Sequence, residues 1–334
     1  MPTTFRDYME SALYAPKDGF YARREPRADF YTAPELHPAF AETLAREIAA
    51  RLKSLGARRP KEPLFVVEVG SGTGALAGQL LRALRDGSAE WRARGRYVLV
   101  ERVESVLLDS VLALREHDEK VLGYSRMSDV PPLCGVVLSN ELLDAMPVHV
   151  IEKRDGRVGE VYVEAGPDGA EARVGSFSRR ELATAAKAVA ESLPEGGRHA
   201  VNLGLDAWCR ELARVLKAGA AITVDYGARL DAATPNPPRY FRRHQTGADV
   251  VDRPGEKDLT ASVDFSALMR AGERRGLRTA SFSTLGKFLL ERGIVERMPA
   301  GDTLAAYKER NQIKTLFHPE GMGDSFKVLI QEKN

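Results

Sequence analysis

The feature that most constrains the fold of this chain is an apolar strand that runs directly into three alternating glycines. The strand is Leu64–Val69, and the glycines follow as Gly70, Gly72 and Gly74. The strand lacks polar alternation, which is typical of a strand buried on both faces of a parallel sheet. Glycines tolerate positive φ and let a flat ligand approach the main chain, and the helix predicted from about Ala75 presents free N–H groups to an anionic ligand group. The segment therefore predicts a site for a nucleoside cofactor.

The spacing of the glycines separates the cofactor classes. Dinucleotide turns read G-x-G-x-x-G and P-loops end in Gly-Lys-Ser/Thr, and this turn has neither form. The form G-x-G-x-G, with Glu68 two positions before the first glycine, occurs in S-adenosylmethionine-dependent methyltransferases, where the turn meets a methionine carboxylate. A second apolar run, residues 97–101, ends in Glu101, a carboxylate suited to bind a ribose diol. Capping of the following helix is the alternative role of Glu101.

Length and composition exclude other function classes. The 334 residues, 43% of them hydrophobic, can bury the core of one large α/β domain with insertions or of two domains. The formal net charge of +2 is too balanced to indicate a nucleic-acid partner. Cys134 and Cys209 fit no metal spacing, and no apolar run approaches a membrane span in length. We expect a cytoplasmic protein with no metal, no nucleic-acid partner and no membrane partner, and the oligomeric state is left open.

Alternating strand and helix patterns predict an α/β fold with a doubly wound sheet of seven strands. A helical N-terminal extension is expected over residues 1–60, and a methyltransferase domain over residues 61–334. Insertions are expected within that domain at about residues 148–200, 228–257 and 284–325. The first insertion predicts a β-hairpin with its turn at Asp155-Gly156, and the second predicts a long loop.

A second informative segment places polar groups at the end of a strand. The apolar residues 136–139 are followed by Asn140, Glu141 and Asp144. Ligands of open α/β sheets lie outside the carboxyl ends of the strands, so we expect this loop to face the donor methyl group. Two carboxylates three residues apart can lie on one side of a single turn and match a planar guanidinium. The alternative is that both carboxylates cap a short helix before Pro147.

Other positions are candidates with an equally plain structural explanation. Thr32, with Glu35 three residues on, predicts a helix start with a capping box. Asp225 and Tyr226 end the fifth strand and are substrate-side candidates, although a strand-end turn explains them as well.

Two histidines are further substrate-side candidates. His149 and His244 are possible bases if the methyl acceptor is a hydroxyl or a thiol, and structural histidines otherwise. His244 ends the run at residues 239–244, in which basic and aromatic residues alternate. Such a single run is more typical of a solvated face or a substrate loop than of a nucleic-acid surface.

The motifs together resemble the MidA-type methyltransferases, a family that includes a mitochondrial complex I assembly factor that methylates an arginine. The resemblance runs nearly end to end. It rests on residues 5–21, 29–35, 70–74, 140–147, 225–227, 254–265 and 322–329. The resemblance implies a class I methyltransferase fold with a Rossmann-like sheet, S-adenosyl-L-methionine as the methyl donor, and a protein arginine as the acceptor. It also adds Thr32 to the cofactor-binding candidates Glu68, Gly70, Gly72, Gly74 and Glu101.

The chain departs from the usual family pattern at a few positions. Leu142 and Leu143 stand where the family usually has phenylalanines, Ser262 where it has a histidine, and Ala28 where it has a glycine. These positions concern the acceptor more than the donor. The sequence thus predicts a protein arginine N-methyltransferase in which Asn140, Glu141 and Asp144 are catalytic. A small-molecule N- or O-methyltransferase and a non-catalytic assembly chaperone are the alternatives.

Overall fold

The computed structural model describes residues 2–22, 32–115, 121–166, 169–230, 234–242 and 245–334. Its helices are α1 (Phe5–Tyr14), α2 (Ala33–Leu36), α3 (Ala39–Arg58), α4 (Ala75–Gly87), α5 (Ala89–Arg94), α6 (Glu104–Ala113), α7 (Arg180–Val189), α8 (Leu205–Val215), α9 (Phe265–Arg274), α10 (Leu285–Glu291) and α11 (Leu304–Phe317). Its strands are β1 (Thr3–Thr4), β2 (Leu64–Val69), β3 (Gly95–Val100), β4 (Val121–Tyr124), β5 (Leu133–Asn140), β6 (His149–Arg154), β7 (Arg157–Gly166), β8 (Gly169–Gly175), β9 (Arg198–Val201), β10 (Leu216–Ala228), β11 (Arg239–Arg242), β12 (Gln245–Gly247), β13 (Asp258–Thr260), β14 (Val263–Asp264), β15 (Arg278–Thr284) and β16 (Phe326–Lys333).

The chain folds into two compact units. The first, named here the sheet unit, comprises Tyr31–Leu142, Trp208–Gly227 and Met269–Asn334. The second, named the hairpin unit, comprises Met1–Phe30, Leu143–Ala207 and Ala228–Leu268. The domain boundaries expected from the sequence, at residues 1–60 and 61–334 with three insertions, stay a prediction.

The sheet unit holds seven strands in the order β15-β16-β10-β5-β2-β3-β4. The five strands from β10 to β4 are parallel, and β16 runs antiparallel to both of its neighbours. The predicted α/β class with a seven-stranded sheet is therefore confirmed. The chain leaves β2 toward β3 and β4 and returns on the other side of β2 as β5. Ligands of open sheets bind outside the carboxyl ends of the strands at such a reversal of strand order.

Apolar residues at strand and helix spacing build the core of the sheet unit. Five of the six residues of β2 are buried, as its uninterrupted apolar run predicts. Leu44, Ile48 and Leu52 recur at helical spacing on α3 and are fully buried in the same core. Full burial of one such side chain contributes roughly 1.5–3 kcal/mol, so this helix face and the sheet stabilise each other.

The hairpin unit contains two small sheets. Strands β1, β7, β6 and β9 hydrogen-bond in that order, and β8 pairs with β7. Asp155 and Gly156, with φ of 52° and 71°, connect β6 to β7, which confirms the predicted hairpin and its turn. The predicted loop at residues 228–257 is wrong in part, because β11 and β12 form within it. Strand β11 also pairs with β13, and the proline-rich, polar composition of the segment gave no signal of these pairings.

Candidate active site at the carboxyl edge of the sheet

The glycine turn after β2 leaves open space where the resemblance predicts a cofactor. Gly70, Gly72 and Gly74 have φ of 73°, 48° and 76°, in the left-handed region that favours glycine. A Cβ atom added at Gly72 would meet no atom within 4 Å. The Oγ atom of Ser71 is buried and has no hydrogen-bond partner among the described residues. An open cradle beside an unused polar atom fits the polar end of S-adenosylmethionine.

Glu101 follows β3 and binds two backbone N–H groups of the same sheet edge. Its Oε2 accepts a hydrogen bond from Gly72 at 3.1 Å, and its Oε1 accepts one from Val103 at 3.0 Å, at the start of α6. The carboxylate therefore braces the cofactor turn and also contacts the beginning of the next helix. About four lone-pair sites are present on a carboxylate, so Glu101 keeps acceptor capacity for a ribose diol. Its cofactor contact stays a prediction.

Glu68 lies inside the sheet, beneath the glycine turn. Its side chain is buried and accepts a 2.5 Å hydrogen bond from the hydroxyl of Tyr97 on β3. Burial raises the pKa of Glu68 to about 8, with a smaller contribution in the same direction from Glu101, and the Tyr97 hydrogen bond partly opposes this. The structure thus gives Glu68 a protein partner that the sequence motif did not predict. A cofactor contact of Glu68 stays a prediction.

The loop after β5 is not a helical turn. Glu141 has a φ of 51°, and its N–H donates to the carbonyl of Val224 on β10 at 2.9 Å. The amide of Asn140 donates to Oε1 of Glu141 at 3.1 Å, and the other amide atom, Oδ1, is buried without a partner among the described residues. A non-glycine residue in the left-handed region costs about 1–3 kcal/mol and is common at functional sites. The short helix before Pro147, which Glu141 and Asp144 would cap under the alternative interpretation, does not form.

Asp225 at the end of β10 holds this loop from the neighbouring strand. Its Oδ2 accepts a hydrogen bond from the N–H of Leu142 at 3.1 Å, and its Oδ1 accepts one from Tyr226 at 2.9 Å. The Asp225 side chain is fully buried, and the ring of Tyr226 packs on Phe326 with 3.8 Å between centroids. The Cδ1 atom of Leu142 would lie 2.8 Å from a Cβ atom added at Gly70. The sequence singled out Asp225 but not this contact, because strand-end polarity says nothing about its partner.

The candidate residues of the hairpin unit are held by neighbours within that unit. Oδ2 of Asp144 accepts a 2.9 Å hydrogen bond from the Thr260 hydroxyl. Nδ1 of His149 lies 2.8 Å from Oε1 of the fully buried Glu160. The same carboxylate accepts a hydrogen bond from the N–H of Ser178 at Oε2 and one from its hydroxyl at Oε1. The side chains of Asp144 and His149 are both largely buried. Their catalytic and substrate-side roles stay predictions.

The remaining candidates divide between the described and the undescribed residues. Thr32 caps α2, and its backbone N–H donates to Oε2 of Glu35 at 3.1 Å, so the predicted capping box is confirmed. Within the basic run, Arg242 pairs with Glu256 at 2.9 Å. His244 lies outside the described residues.

The described part of the chain lacks two other kinds of site. None of its helices has the length and apolar character needed to cross a membrane. Within the same residues, no cluster of three or more histidine, cysteine, aspartate or glutamate side chains is placed to hold a metal ion.

Comparison with known proteins gives a family and a donor. The sequence model of a family of S-adenosyl-L-methionine-dependent methyltransferases matches residues 43–283. The human protein arginine methyltransferase NDUFAF7, mitochondrial, is 30% identical over 363 residues, which cover 97% of this chain and 79% of the relative. The mouse protein of the same name is 29% identical, and the alignment covers 97% of this chain and 80% of the mouse protein. A Burkholderia thailandensis COG1565 superfamily member, crystallised with S-adenosyl-homocysteine, aligns with a TM-score of 0.84, 30% identity, and coverage of 99% of this chain and 88% of the other.

The names of these relatives contradict one expectation from the sequence. The mouse, human and Drosophila relatives are each named as mitochondrial proteins. The cytoplasmic location expected for this chain is therefore wrong. The prediction rested on composition, cysteine spacing and the lack of a long apolar run, and none of these reports on the compartment in which the members of a protein family are found.

The comparisons also confirm three predictions from the sequence. The α/β methyltransferase fold agrees with the aligned crystal structure, the donor agrees with the S-adenosyl-homocysteine bound there, and the MidA-type resemblance agrees with the curated relatives. The family model spans well over half of the chain, including the glycine turn, Glu101 and the loop after β5. The chain therefore belongs to this family of S-adenosyl-L-methionine-dependent methyltransferases.

Proposed function

We propose that the protein transfers a methyl group to a nitrogen of an arginine in a protein substrate. The observation that carries this proposal is the near full-length similarity to relatives named as protein arginine methyltransferases, which covers 97% of the chain. The polar loop after β5 supports it, because Asn140 and Glu141 lie at the carboxyl edge of the sheet, one strand away from the glycine turn. A carboxylate and an amide oxygen are suitable acceptors for the five N–H donors of a guanidinium.

The residues of the sheet unit divide the task between donor and acceptor. The bound donor supplies an electrophilic methyl carbon on its sulfonium. The glycine turn and Glu101 bind and orient the donor, and Glu141 binds the guanidinium and turns one nitrogen toward that carbon. The new N–C bond forms as the S–C bond breaks, which leaves S-adenosyl-homocysteine, and the proton released by the methylated nitrogen passes to Glu141. In-line positioning of this kind is worth up to about 7–11 kcal/mol of the barrier.

Asp144 is the second predicted acceptor-side carboxylate. Its Oδ2 accepts the Thr260 hydroxyl, which fixes the orientation of the carboxylate. Like Glu141, it would act on the acceptor and not on the donor. Substitution of either carboxylate by its amide removes the negative charge and keeps the size of the side chain.

The test compares methylarginine in two strains of the source organism. Mass spectrometry of digested lysates from a strain lacking this gene should show at least one methylarginine site that is lost, and the wild-type gene should restore it. The Gly72→Val gene is the matched control, because its product keeps the acceptor loop and loses the donor site, and it should not restore the site.

Two outcomes would contradict the proposal. Methyl transfer that appears only in the small-molecule fraction would indicate the small-molecule methyltransferase. Restoration of the site by the Gly72→Val gene would indicate a chaperone that needs no donor.

A further inference from the structure

The ends of three neighbouring strands are connected to one another at the cofactor edge of the sheet unit. Strand β5 lies between β10 and β2 in the sheet. The loop after β5 contacts the end of β10 through its backbone and the turn after β2 through a side chain. Both contacts involve one residue, Leu142.

The backbone contact depends on the left-handed residue before Leu142. Glu141 donates its own N–H to Val224, and its φ of 51° turns the chain so that the next N–H, that of Leu142, meets Oδ2 of Asp225 at 3.1 Å. The Leu142 N–H is partly buried, and a carboxylate oxygen is a strong acceptor for it. Asp225 itself is fully buried, so its carboxylate is held in place at the end of β10.

Beside its positive φ of 73°, which by itself favours glycine, Gly70 also has a leucine side chain close to the place where a Cβ atom would stand. A Cβ atom at Gly70 would lie 2.8 Å from Cδ1 of Leu142 and 3.6 Å from its Cγ. Real Cβ contacts are essentially never shorter than 3.0 Å, so the isobutyl group of Leu142 occupies the place that a side chain at residue 70 would take. Leu142 therefore supports the turn from the side of β5, while the N–H of Gly70 is held by Val100 from the side of β3.

We propose that Asp225 is a positioning residue of the donor site, which acts through Leu142 on the glycine turn. Asp225 fixes the main chain at Leu142, the fixed main chain sets the position of the isobutyl group, and that group keeps Gly70 and the turn in the geometry that binds the donor. Asp225 touches neither the donor nor the acceptor in this role. The inference concerns the donor site, so it does not depend on the nature of the methyl acceptor.

A double-mutant cycle on donor affinity tests this connection. The affinity of the purified full chain for S-adenosyl-homocysteine is measured by calorimetry for the wild type, Asp225→Ala, Leu142→Ala and the double variant. Each single substitution should weaken binding roughly tenfold, within the range seen for directly coupled neighbours. If Asp225 acts through Leu142, the double variant should bind no more weakly than the weaker single variant. Independent effects, with a loss of about a hundredfold in the double variant, would overturn the proposal.

Two further variants separate positioning from general stability. Thr303 caps α11 in the same unit by accepting the N–H of Ala306 at 3.1 Å, and Thr303→Ala removes a comparable polar support. It should leave the affinity for S-adenosyl-homocysteine unchanged, and an equal loss of affinity there would refute the proposal. Asp225→Asn keeps one acceptor oxygen, so its affinity should fall between those of the wild type and Asp225→Ala. Wild-type affinity in Asp225→Ala would refute the proposal as well.

Discussion

Replacement of Glu68 by glutamine should make the protein more stable, and increasingly so as the pH rises. Burial raises the pKa of Glu68 from the ordinary value of 4.5 to about 8. Between these two values the folded protein holds a proton that the unfolded chain has released. The free energy of unfolding therefore falls as the pH rises, by about 1.4 kcal/mol per pH unit. Glutamine carries no charge at any pH and still accepts the hydrogen bond from Tyr97.

The size of the effect follows from the same two pKa values. At pH 7 the titration of Glu68 has lowered the free energy of unfolding of the wild type by about 3 kcal/mol, since pH 7 lies 2.5 units above the ordinary pKa of 4.5. The difference in free energy of unfolding between Glu68→Gln and the wild type should therefore be small at pH 5. It should grow to about 3 kcal/mol at pH 7 and become constant above about pH 8.

Urea denaturation of both proteins at several pH values between 5 and 9 measures this difference, and the titration of all other groups cancels in it. Tyr97→Phe is the matched variant. It removes the hydrogen bond that lowers the pKa of Glu68. In the Tyr97→Phe protein, the stability gained from Glu68→Gln should therefore keep increasing to a higher pH than it does in the wild type. A stability difference between Glu68→Gln and the wild type that stays the same from pH 5 to pH 9 would show that Glu68 is ionised in the folded protein, contrary to this reasoning.

Three other predictions concern the donor, the acceptor and the stability of the sheet unit. Gly72→Val should abolish calorimetric binding of S-adenosyl-homocysteine, because the added side chain would fill the open space in which the donor is proposed to bind. Gly276→Val, at a glycine with φ of 78° and equally open surroundings, is the control and should bind normally; a loss of binding there would assign the effect to backbone strain. Glu141→Gln and Asp144→Asn should keep donor affinity and lower kcat strongly in a methyl-transfer assay, and a parallel loss of donor affinity would place these carboxylates in the donor site. Glu47→Gln should lower the free energy of unfolding by about 1–2 kcal/mol, because Glu47 binds Arg51 at 2.6 Å and Arg292 at 2.8 Å with little exposure; an unchanged urea midpoint would contradict this.

Local sequence was sufficient to predict the glycine turn and the fold class. A buried strand, a left-handed glycine turn and a following helix are specified by neighbouring residues, so Gly70, Gly72 and Gly74 predict their own backbone conformation. The capping box of Thr32 and Glu35 and the hairpin turn at Asp155-Gly156 are local in the same sense. The strands themselves were predicted from apolar runs, because a strand buried on both faces of a sheet has few polar residues.

The sequence by itself thus determined the fold class and the backbone conformation of the glycine turn, and the tertiary structure decided which side chains meet there. Tyr97 is 29 residues from Glu68, and Asp225 is 83 residues from Leu142. A contact between residues so far apart in the chain depends on the order and register of the strands. Local patterns of hydrophobicity do not encode that order, because a strand buried on both faces shows the same apolar run whichever neighbours it pairs with.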